Sequence, residues 1–304
     1  IIKDLKAVES LGCVSVICSD KTGTLTQNKM TVQQIYINHQ TIGADALDLK
    51  QQSHRYLLYD AILTNDSAIV EGQSIGDPTE VALLEMGRKA DIKEDILKEM
   101  MPRMEEIPFD SDRKLMSTKY RLHGVPTILV KGALDILLKR MDRIRIGDEV
   151  RPITEQDVKE ILDKNQAFSE QGLRVLAFAY KEAQADQQLT LDEENHLIFM
   201  GLVSMIDPPR EESREAVSEA KRAGIRPVMI TGDHKITATA IAEQIGIFGE
   251  GDMAVTGPEL DEMSDAELDE NIEKISVYAR VSPENKIRIV GAWQRKGAVT
   301  AMTG

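Results

Sequence analysis

The 304-residue sequence has few of the features that mark disulfide-rich, membrane-spanning or nucleic-acid-binding proteins. Its only cysteines, Cys13 and Cys18, are too few for a disulfide framework and lack the second pair that a zinc site would need. We expect two partly buried thiols in a reducing compartment. No apolar run approaches the roughly 20 residues that cross a bilayer. Basic residues number 37 against 51 acidic ones, and the net charge of -14 argues against nucleic acid and anionic membranes as partners.

Three common cofactor motifs are also missing. The chain has no Gly-x4-Gly-Lys-Ser/Thr loop, no Gly-x-Gly-x-x-Gly turn and no His-Glu-x-x-His helix. P-loop, dinucleotide and zinc-protease chemistry therefore lose their usual support. The composition, with 42% hydrophobic and 29% charged residues, is typical of a globular protein, and the length suits two domains.

Four segments share one plan, a short apolar run that ends in a polar turn. They are residues 14–20, 226–230, 276–280 and 298–303. Amphipathic helices are predicted at 211–223 and 235–245, and a third begins at Ser282-Pro283, where serine caps the helix and proline takes its first position. Strands that alternate with helices predict an α/β domain with a doubly wound parallel sheet.

The middle of the chain lacks this alternation. Strands are predicted at 30–37, 115–120, 127–130, 174–180 and 197–205, and helices at 77–90 and 154–172. Asp77-Pro78-Thr79-Glu80 reads as a capping box at the start of the first helix. The pattern predicts an α+β domain with an antiparallel sheet at 30–205, inserted into a parallel-sheet domain made of 1–29 and 206–304. The prolines of Asp207-Pro208-Pro209-Arg210 are expected to stiffen the return.

Asp20 is the first candidate for chemistry. It follows the first apolar run, and ligands gather beyond the carboxyl ends of parallel strands. A carboxylate displayed there can be a metal ligand, a nucleophile or both. A polar turn alone would explain an isolated Asp-Lys pair. The seven residues from Asp20 to Thr26 form a longer motif, which is far more specific than that pair.

Those seven residues, Asp-Lys-Thr-Gly-Thr-Leu-Thr, resemble the phosphorylation motif of the P-type ATPases, in particular the type II cation pumps. The resemblance implies a haloacid dehalogenase-like fold, transfer of the γ-phosphoryl group of ATP to Asp20, and Mg2+ held by Asp20 and Thr22. Phosphatases of that superfamily carry a second Asp where this chain has Thr22. A hydroxyl cannot act as a general base in the way a carboxylate can, so a long-lived phosphoenzyme is favoured over a phosphatase.

Further segments of the parallel-sheet domain resemble the phosphate site of the same family. Thr231-Gly232-Asp233 resembles a loop that holds the transferred group, although a helix-capping turn would also explain it. Lys286 lies in a first helical turn, where a cation is unfavourable without an anion nearby, and the resemblance implies that it neutralises the phosphoryl group. The catalytic residues that the resemblance implies are Asp20, Lys21, Thr22, Thr231, Gly232, Asp233 and Lys286.

The inserted domain resembles the nucleotide-binding domain of these pumps. Val130-Lys131-Gly132-Ala133 resembles the Lys-Gly-Ala motif that lines the ATP pocket, although an edge-strand lysine and a turn would also explain it. Core packing would explain Phe109, an aromatic residue in a polar stretch; the resemblance implies instead that it stacks on adenine and that Lys114 makes a polar contact. Ser111 replaces an arginine that many animal relatives carry. The nucleotide-contacting residues that the resemblance implies are Glu80, Phe109, Lys114, Lys131, Gly132, Arg174, Asp207 and Arg280.

The resemblance runs through the whole chain and implies a segment of a larger membrane pump. Its expected partners are ATP and the transmembrane and actuator domains of the same pump, at the cytoplasmic face of a membrane. Overall similarity favours a bacterial calcium pump. The next Mg2+-binding aspartate of the family would follow Gly304, so poor self-phosphorylation is expected of this segment alone. A soluble phosphatase of the same superfamily and a non-catalytic ATP-sensing module are the alternatives.

Overall fold

A computed structural model of the protein describes residues 12–184 and 186–303. The strands are β1 (Val16–Asp20), β2 (Thr31–Ile37), β3 (Gln40–Gly43), β4 (Ala68–Val70), β5 (Gln73–Ile75), β6 (Glu105–Asp110), β7 (Leu115–Leu122), β8 (Val125–Gly132), β9 (Met141–Ile146), β10 (Glu149–Pro152), β11 (Arg174–Glu182), β12 (Leu197–Ile206), β13 (Arg226–Ile230), β14 (Met253–Thr256), β15 (Ile275–Ala279) and β16 (Thr300–Thr303). The helices are α1 (Gln52–Leu63), α2 (Pro78–Lys89), α3 (Glu94–Met100), α4 (Leu134–Leu137), α5 (Glu155–Glu170), α6 (Glu211–Arg222), α7 (Lys235–Gln244), α8 (Gly257–Glu262), α9 (Asp265–Asn271) and α10 (Pro283–Arg295). Within these ranges, no helix combines the length and apolar composition that a membrane crossing needs.

The described residues divide into two compact units. The first contains 12–29 and 207–303, and the second contains 30–206. The chain passes from the second unit back to the first after Ile206, one residue later than the boundary that the sequence pattern predicted. Each unit has its own buried apolar cluster or clusters.

The first unit is built on a five-stranded sheet in the order β14-β15-β13-β1-β16, with all neighbours parallel. Helix α6 packs against β13, and helix α7 packs against β14 and β15. The apolar faces of the strands and of α10 meet in a core that includes Cys18, Ile230, Tyr278 and Trp293. The predicted α/β class with a parallel sheet is therefore confirmed. Strand β14 was missed because it is a four-residue edge strand with only a weak apolar signal.

The second unit is built on a nine-stranded sheet in which β10-β9-β12-β11-β8-β7-β6 form the main path and β2 and β3 branch from β12. Every pairing is antiparallel except that of β9 with β12. Helices α1 and α2 cover one apolar cluster, and helices α4 and α5 cover another. The antiparallel sheet with packed helices is confirmed, although helices α1, α3 and α4 were not predicted.

The cysteines and one helix cap differ from expectation. Cys13 is exposed, whereas Cys18 is fully buried in the core, and burial raises the pKa of its thiol to about 12. A buried thiol of this kind is unreactive. Asp77 caps helix α2 by accepting from the backbone N–H groups of Thr79 at 2.8 Å and Glu80 at 3.3 Å. The predicted capping box is nevertheless wrong, because the Glu80 carboxylate binds other groups.

Candidate functional site

Asp20 ends strand β1 at the carboxyl edge of the parallel sheet, where ligands collect in open α/β folds. It pairs in register with Ile230, so Thr231, the next residue, lies at the same edge. The Asp20 side chain is 31% exposed, and its Oδ2 lies 3.1 Å from Nζ of Lys286. Three residues predicted from separate motifs therefore meet at one edge of the sheet.

The first turn of helix α10 places Lys286 at this edge. The hydroxyl of Ser282 accepts from the Asn285 N–H at 3.3 Å, and Asn285 Oδ1 accepts from the Ser282 N–H at 2.9 Å. The Asn285 amide also donates to Asp261 of helix α8 at 2.6 Å. A cation is unfavourable at a helix N-terminus, and the Asp20 carboxylate is the anion that offsets this cost.

The loop after strand β13 carries Thr231, Gly232 and Asp233. The Thr231 N–H donates to the Tyr278 carbonyl at 2.9 Å, and the buried Thr231 hydroxyl accepts from the Asp233 N–H at 3.1 Å. The first bond ties the loop to strand β15, and the second fixes the conformation of the loop itself. Gly232 is exposed, so its backbone is open to a ligand beside Asp20.

The ammonium of Lys21 is buried between two carboxylates. It lies 2.7 Å from Asp233 and 3.8 Å from Asp207. Asp207 also accepts from the Thr26 hydroxyl at 2.5 Å and from the Lys29 N–H at 3.0 Å. Lys21, Asp207 and Asp233 thus form an ionic cluster that joins three loops of the first unit, and their contact with phosphate or nucleotide stays a prediction.

The loop from Lys21 to Leu25 is shaped by a glycine and an arginine. Gly23 has a φ of 77°, a left-handed backbone conformation that residues with a side chain rarely adopt. The Arg210 guanidinium donates to the Gly23 carbonyl at 2.9 Å, and its N–H donates to the Leu25 carbonyl at 2.9 Å. This support leaves Thr22 exposed, two residues after Asp20.

Arg280 was predicted as a nucleotide contact. It follows strand β15 with a φ of 51°, and its N–H donates to the Asp233 carbonyl at 3.0 Å. Its exposed guanidinium lies 2.5 Å from Nε2 of His234, at the start of helix α7. The backbone of Arg280 therefore belongs to the Asp20 edge, whereas its side chain is engaged with another loop.

The predicted Mg2+ ligands, Asp20 and Thr22, are two oxygen-bearing residues that are both accessible to solvent. Mg2+ prefers oxygen ligands and usually keeps several waters and substrate phosphates in its shell. In the part of the chain that the structure describes, no group of three His, Cys, Asp or Glu side chains could hold a metal. The donors present fit an ion that is shared with phosphate rather than one fully enclosed by protein.

In the second unit, Lys131 and Glu80 form a buried ion pair. Lys131 lies on strand β8, and its Nζ is 2.6 Å from Glu80 Oε1. Glu80 Oε2 accepts from the Asp66 N–H at 3.0 Å and from the Ser67 N–H and hydroxyl at 3.2 and 3.1 Å. Glu80 therefore joins helix α2, the loop after helix α1 and strand β8, rather than capping its own helix.

Arg174 and Gly132 lie next to this pair. The Arg174 guanidinium donates to the Thr79 hydroxyl at 2.7 Å, one residue before Glu80. Gly132 pairs with Leu115 of strand β7 and with Ala177 of strand β11. Four residues that were predicted from three separate segments thus lie on neighbouring elements of the second unit. We call this group, Lys131, Gly132, Glu80 and Arg174, the Lys131 wall.

Phe109 is the last but one residue of strand β6, and Lys114 is the last residue of the turn that leads to strand β7. Phe109 sits where the pairing of these strands shifts, and it is 61% exposed. Lys114 has a φ of 56°, and its exposed ammonium is 3.9 Å from Asp135. An exposed aromatic ring in a polar turn is available for stacking on a planar ligand.

Glu194 is a residue that the sequence analysis missed. It is fully buried, and it accepts hydrogen bonds from Arg113 and Ser117 and lies 3.6 Å from the Arg140 guanidinium. Arg113 also donates to the Pro108 carbonyl at 2.5 Å, so Glu194 anchors the turn that carries Phe109. Nothing in the local sequence marks this glutamate, because its partners lie 54 to 81 residues away.

Glu194→Gln is expected to destabilise the second unit by about 2 kcal/mol, because two arginines would lose their shared carboxylate. Urea unfolding followed by circular dichroism measures the change. Glu99→Gln, at an exposed position on helix α3, is the matched control and should unfold like the unsubstituted chain. Equal midpoints for both variants would contradict an anchoring role for Glu194.

Comparison with known proteins points to one family. The family model described as "P-type ATPase, cytoplasmic domain N" matches residues 53–212. The whole chain is 53% identical to a segment of calcium-transporting ATPase 1 of Lactococcus lactis and 49% identical to a segment of a calcium-transporting ATPase of Listeria monocytogenes. It is also 45% identical to a segment of calcium-transporting ATPase 1 of Bacillus cereus. The chain spans about a third of the length of these relatives, 34 to 35%.

Proposed function

Because this chain belongs to the P-type ATPases, we propose that it is the part of a cation pump that binds ATP and accepts its γ-phosphoryl group on Asp20. The observation that carries the proposal is the accessible Asp20 carboxylate with Lys286 at 3.1 Å. The names of the relatives favour Ca2+ as the transported ion. The cytoplasmic face of a membrane is the corresponding location.

Asp20 would act as the nucleophile. Lys286 contacts Oδ2, which leaves Oδ1 to form a bond with the γ-phosphorus while the bond to the β–γ bridging oxygen breaks and ADP leaves. The Lys286 ammonium and the Thr231-Gly232 loop would offset charge on the phosphoryl oxygens. When bound, Mg2+ supplies further neutralising charge, and Asp20 and Thr22 are the residues that would hold it.

The second unit would bind the nucleotide. Lys131 and Arg174 supply positive charge at the wall described above, and the exposed ring of Phe109 is suited to stack on adenine. Thr22, in the place of a phosphatase carboxylate, favours a phosphoenzyme that persists, since a hydroxyl cannot deprotonate water.

Labelling with γ-phosphate-labelled ATP tests the proposal in the full-length pump. We expect a label that needs Mg2+ and Ca2+, survives acid, is released by hydroxylamine as an acyl phosphate, and maps to Asp20. A label on another residue would contradict the proposal. Turnover of a generic phosphate ester without any label would favour a phosphatase instead.

Lys286→Ala is expected to slow phosphoenzyme formation about 100-fold, because a preorganised charge beside the reacting group would be lost. Rapid-quench labelling gives the rate. Lys296→Ala, a lysine just past the end of the same helix, is the matched control and should label at the unsubstituted rate. A Lys286 variant as fast as this control would remove Lys286 from the proposed mechanism.

A further inference from the structure

Asp60 is a buried acid that the proposed mechanism does not use. It lies in helix α1 and is fully buried, and among the described residues neither carboxylate oxygen accepts a hydrogen bond of ordinary length and angle; the Thr64 side chain and the Val130 backbone are the polar groups that act on it. Its neighbours along the helix, Leu57 and Ala61, belong to an apolar cluster. Burial disfavours an ionised carboxylate that is so weakly hydrogen-bonded, so such a group tends to hold its proton.

Burial raises the pKa of Asp60 to about 7. Thr64, the Lys131 charge and the backbone of Val130 lower this pKa, but they offset the effect of burial only in part. An ordinary aspartate ionises near pH 4 and keeps its charge throughout the physiological range. Asp60 instead changes charge close to neutral pH.

Lys131 connects Asp60 to the Lys131 wall, the group that is proposed to bind the nucleotide. Helix α1 packs against strand β8, which carries Lys131, and the Lys131 charge acts on the Asp60 carboxyl. Helix α2 contributes Glu80, whose carboxylate is 2.6 Å from the same ammonium. With Asp60 protonated, the charges of these three residues cancel; with Asp60 ionised, the cluster carries one net negative charge.

The other titratable groups around helix α1 are engaged elsewhere. Lys98 of helix α3 donates to the Asn65 carbonyl, just past the end of helix α1. Arg103 and the Tyr120 hydroxyl both donate to the carbonyl of Leu63, the last residue of that helix. The Tyr180 hydroxyl of strand β11 accepts from Arg145. Strand β12 contributes no titratable side chain. Arg174 of strand β11 donates to Thr79, and Arg88 of helix α2 is paired with Glu94. Lys131 is the charged group that acts on the Asp60 carboxyl.

We propose that Asp60 is a positioning residue for the nucleotide: by gaining or losing a proton, it sets the charge balance behind Lys131 and thereby the affinity for an anionic nucleotide. This inference rests on the proposed function, in which Lys131 lines the nucleotide pocket. Affinity falls as the pH rises through neutrality, because ionised Asp60 opposes the phosphate charge. By linkage, nucleotide binding draws a proton onto Asp60.

Calorimetric titration of the chain with ATP between about pH 6 and pH 8 tests this inference. Asp60→Asn has nearly the same shape and stays neutral, so it mimics the protonated state at every pH. Over this range, we expect the affinity of the unsubstituted chain to fall about fivefold more than that of Asp60→Asn. Titration of the ATP phosphates affects both proteins equally. Asp163→Asn, at an exposed position on helix α5, should follow the unsubstituted chain.

The outcomes separate this inference from the proposed function. Equal pH dependence in the unsubstituted chain and Asp60→Asn would overturn the role of Asp60 while leaving ATP binding intact. Absence of ATP binding by every variant at every pH would overturn the nucleotide site itself. If Asp60→Asn fails to fold, carboxyl-carbon NMR of the unsubstituted chain decides: a midpoint near 7 that rises with ATP supports the inference, and an ordinary aspartate midpoint overturns it.

Discussion

Asp20→Asn is expected to lower phosphoenzyme formation by at least ~1000-fold while leaving ATP affinity within about twofold of the unsubstituted pump. The amide has nearly the volume of the carboxylate, but it is a poor nucleophile. Lys131, Arg174 and Phe109, which are proposed to bind the nucleotide, lie in the second unit, whereas Asp20 lies in the first. Acid-quenched labelling measures the first quantity, and equilibrium ATP binding measures the second.

Asp20→Glu separates charge from position. Glutamate keeps a carboxylate that Lys286 can pair with, but its extra methylene moves the nucleophilic oxygen by more than 1 Å. Since a misplacement of ~1 Å can cost about 100-fold in rate, this variant should also label poorly. Asp163→Asn, an exposed aspartate in the second unit, should label normally. Full labelling of Asp20→Asn would show that the phosphoryl group is carried by another residue.

Gly132→Ala is expected to destabilise the second unit by about 3 kcal/mol or more, because strand β8 has no space for a methyl group there. A Cβ at Gly132 would lie 2.2 Å from the Lys114 carbonyl oxygen and 3.0 Å from the Leu115 Cα. Both atoms are backbone, and the pairing of Gly132 with Leu115 and the bond from the Ala133 N–H to Lys114 hold them in place. Relief of the clash would separate strands β7 and β8.

The single tryptophan makes this prediction specific to one unit. Trp293 is buried in the first unit, so its fluorescence reports unfolding there, while circular dichroism also follows the second unit. Gly132→Ala should lower the dichroism midpoint and leave the fluorescence midpoint unchanged. Because nearby Lys131 would be displaced, ATP affinity should fall as well.

The matched control is Gly291→Ala in helix α10, where the nearest atom to an added Cβ is the end of the Arg295 side chain at 3.5 Å. The same chemical change should stabilise the first unit by about 0.5–1 kcal/mol, because alanine favours the helix over glycine. A Gly132→Ala chain with an unchanged dichroism midpoint would show that the strands adjust without cost.

Much of the parallel sheet followed from local pattern. Strand β13 and helix α10 begin where the sequence predicted, because β-branched runs, a Ser-Pro start and terminal glycines act over a few residues. The seven residues from Asp20 to Thr26 likewise identified a candidate site without any structure. Their role as a phosphorylation site stays a prediction.

Other elements left no local signal. Helix α1 is buried on nearly all sides, so it lacks the alternation of apolar and polar faces that marks a surface helix. Strand β14 is too short to show a period. Glu80 has the spacing of a capping residue, yet its carboxylate is taken by Lys131, which is 51 residues away in the chain.

The sequence by itself determined most strands of the parallel sheet, the starts of several helices and which carboxylate is a candidate nucleophile, because each of these depends on neighbours within a few residues. The tertiary structure alone decided that Lys286 meets Asp20 across 266 residues and that Lys21 is enclosed by Asp207 and Asp233. It also decided that Asp60 is fully buried in a helix that packs against the strand carrying Lys131. Ion pairing and desolvation depend on which side chains share a space, and only the folded chain brings them there.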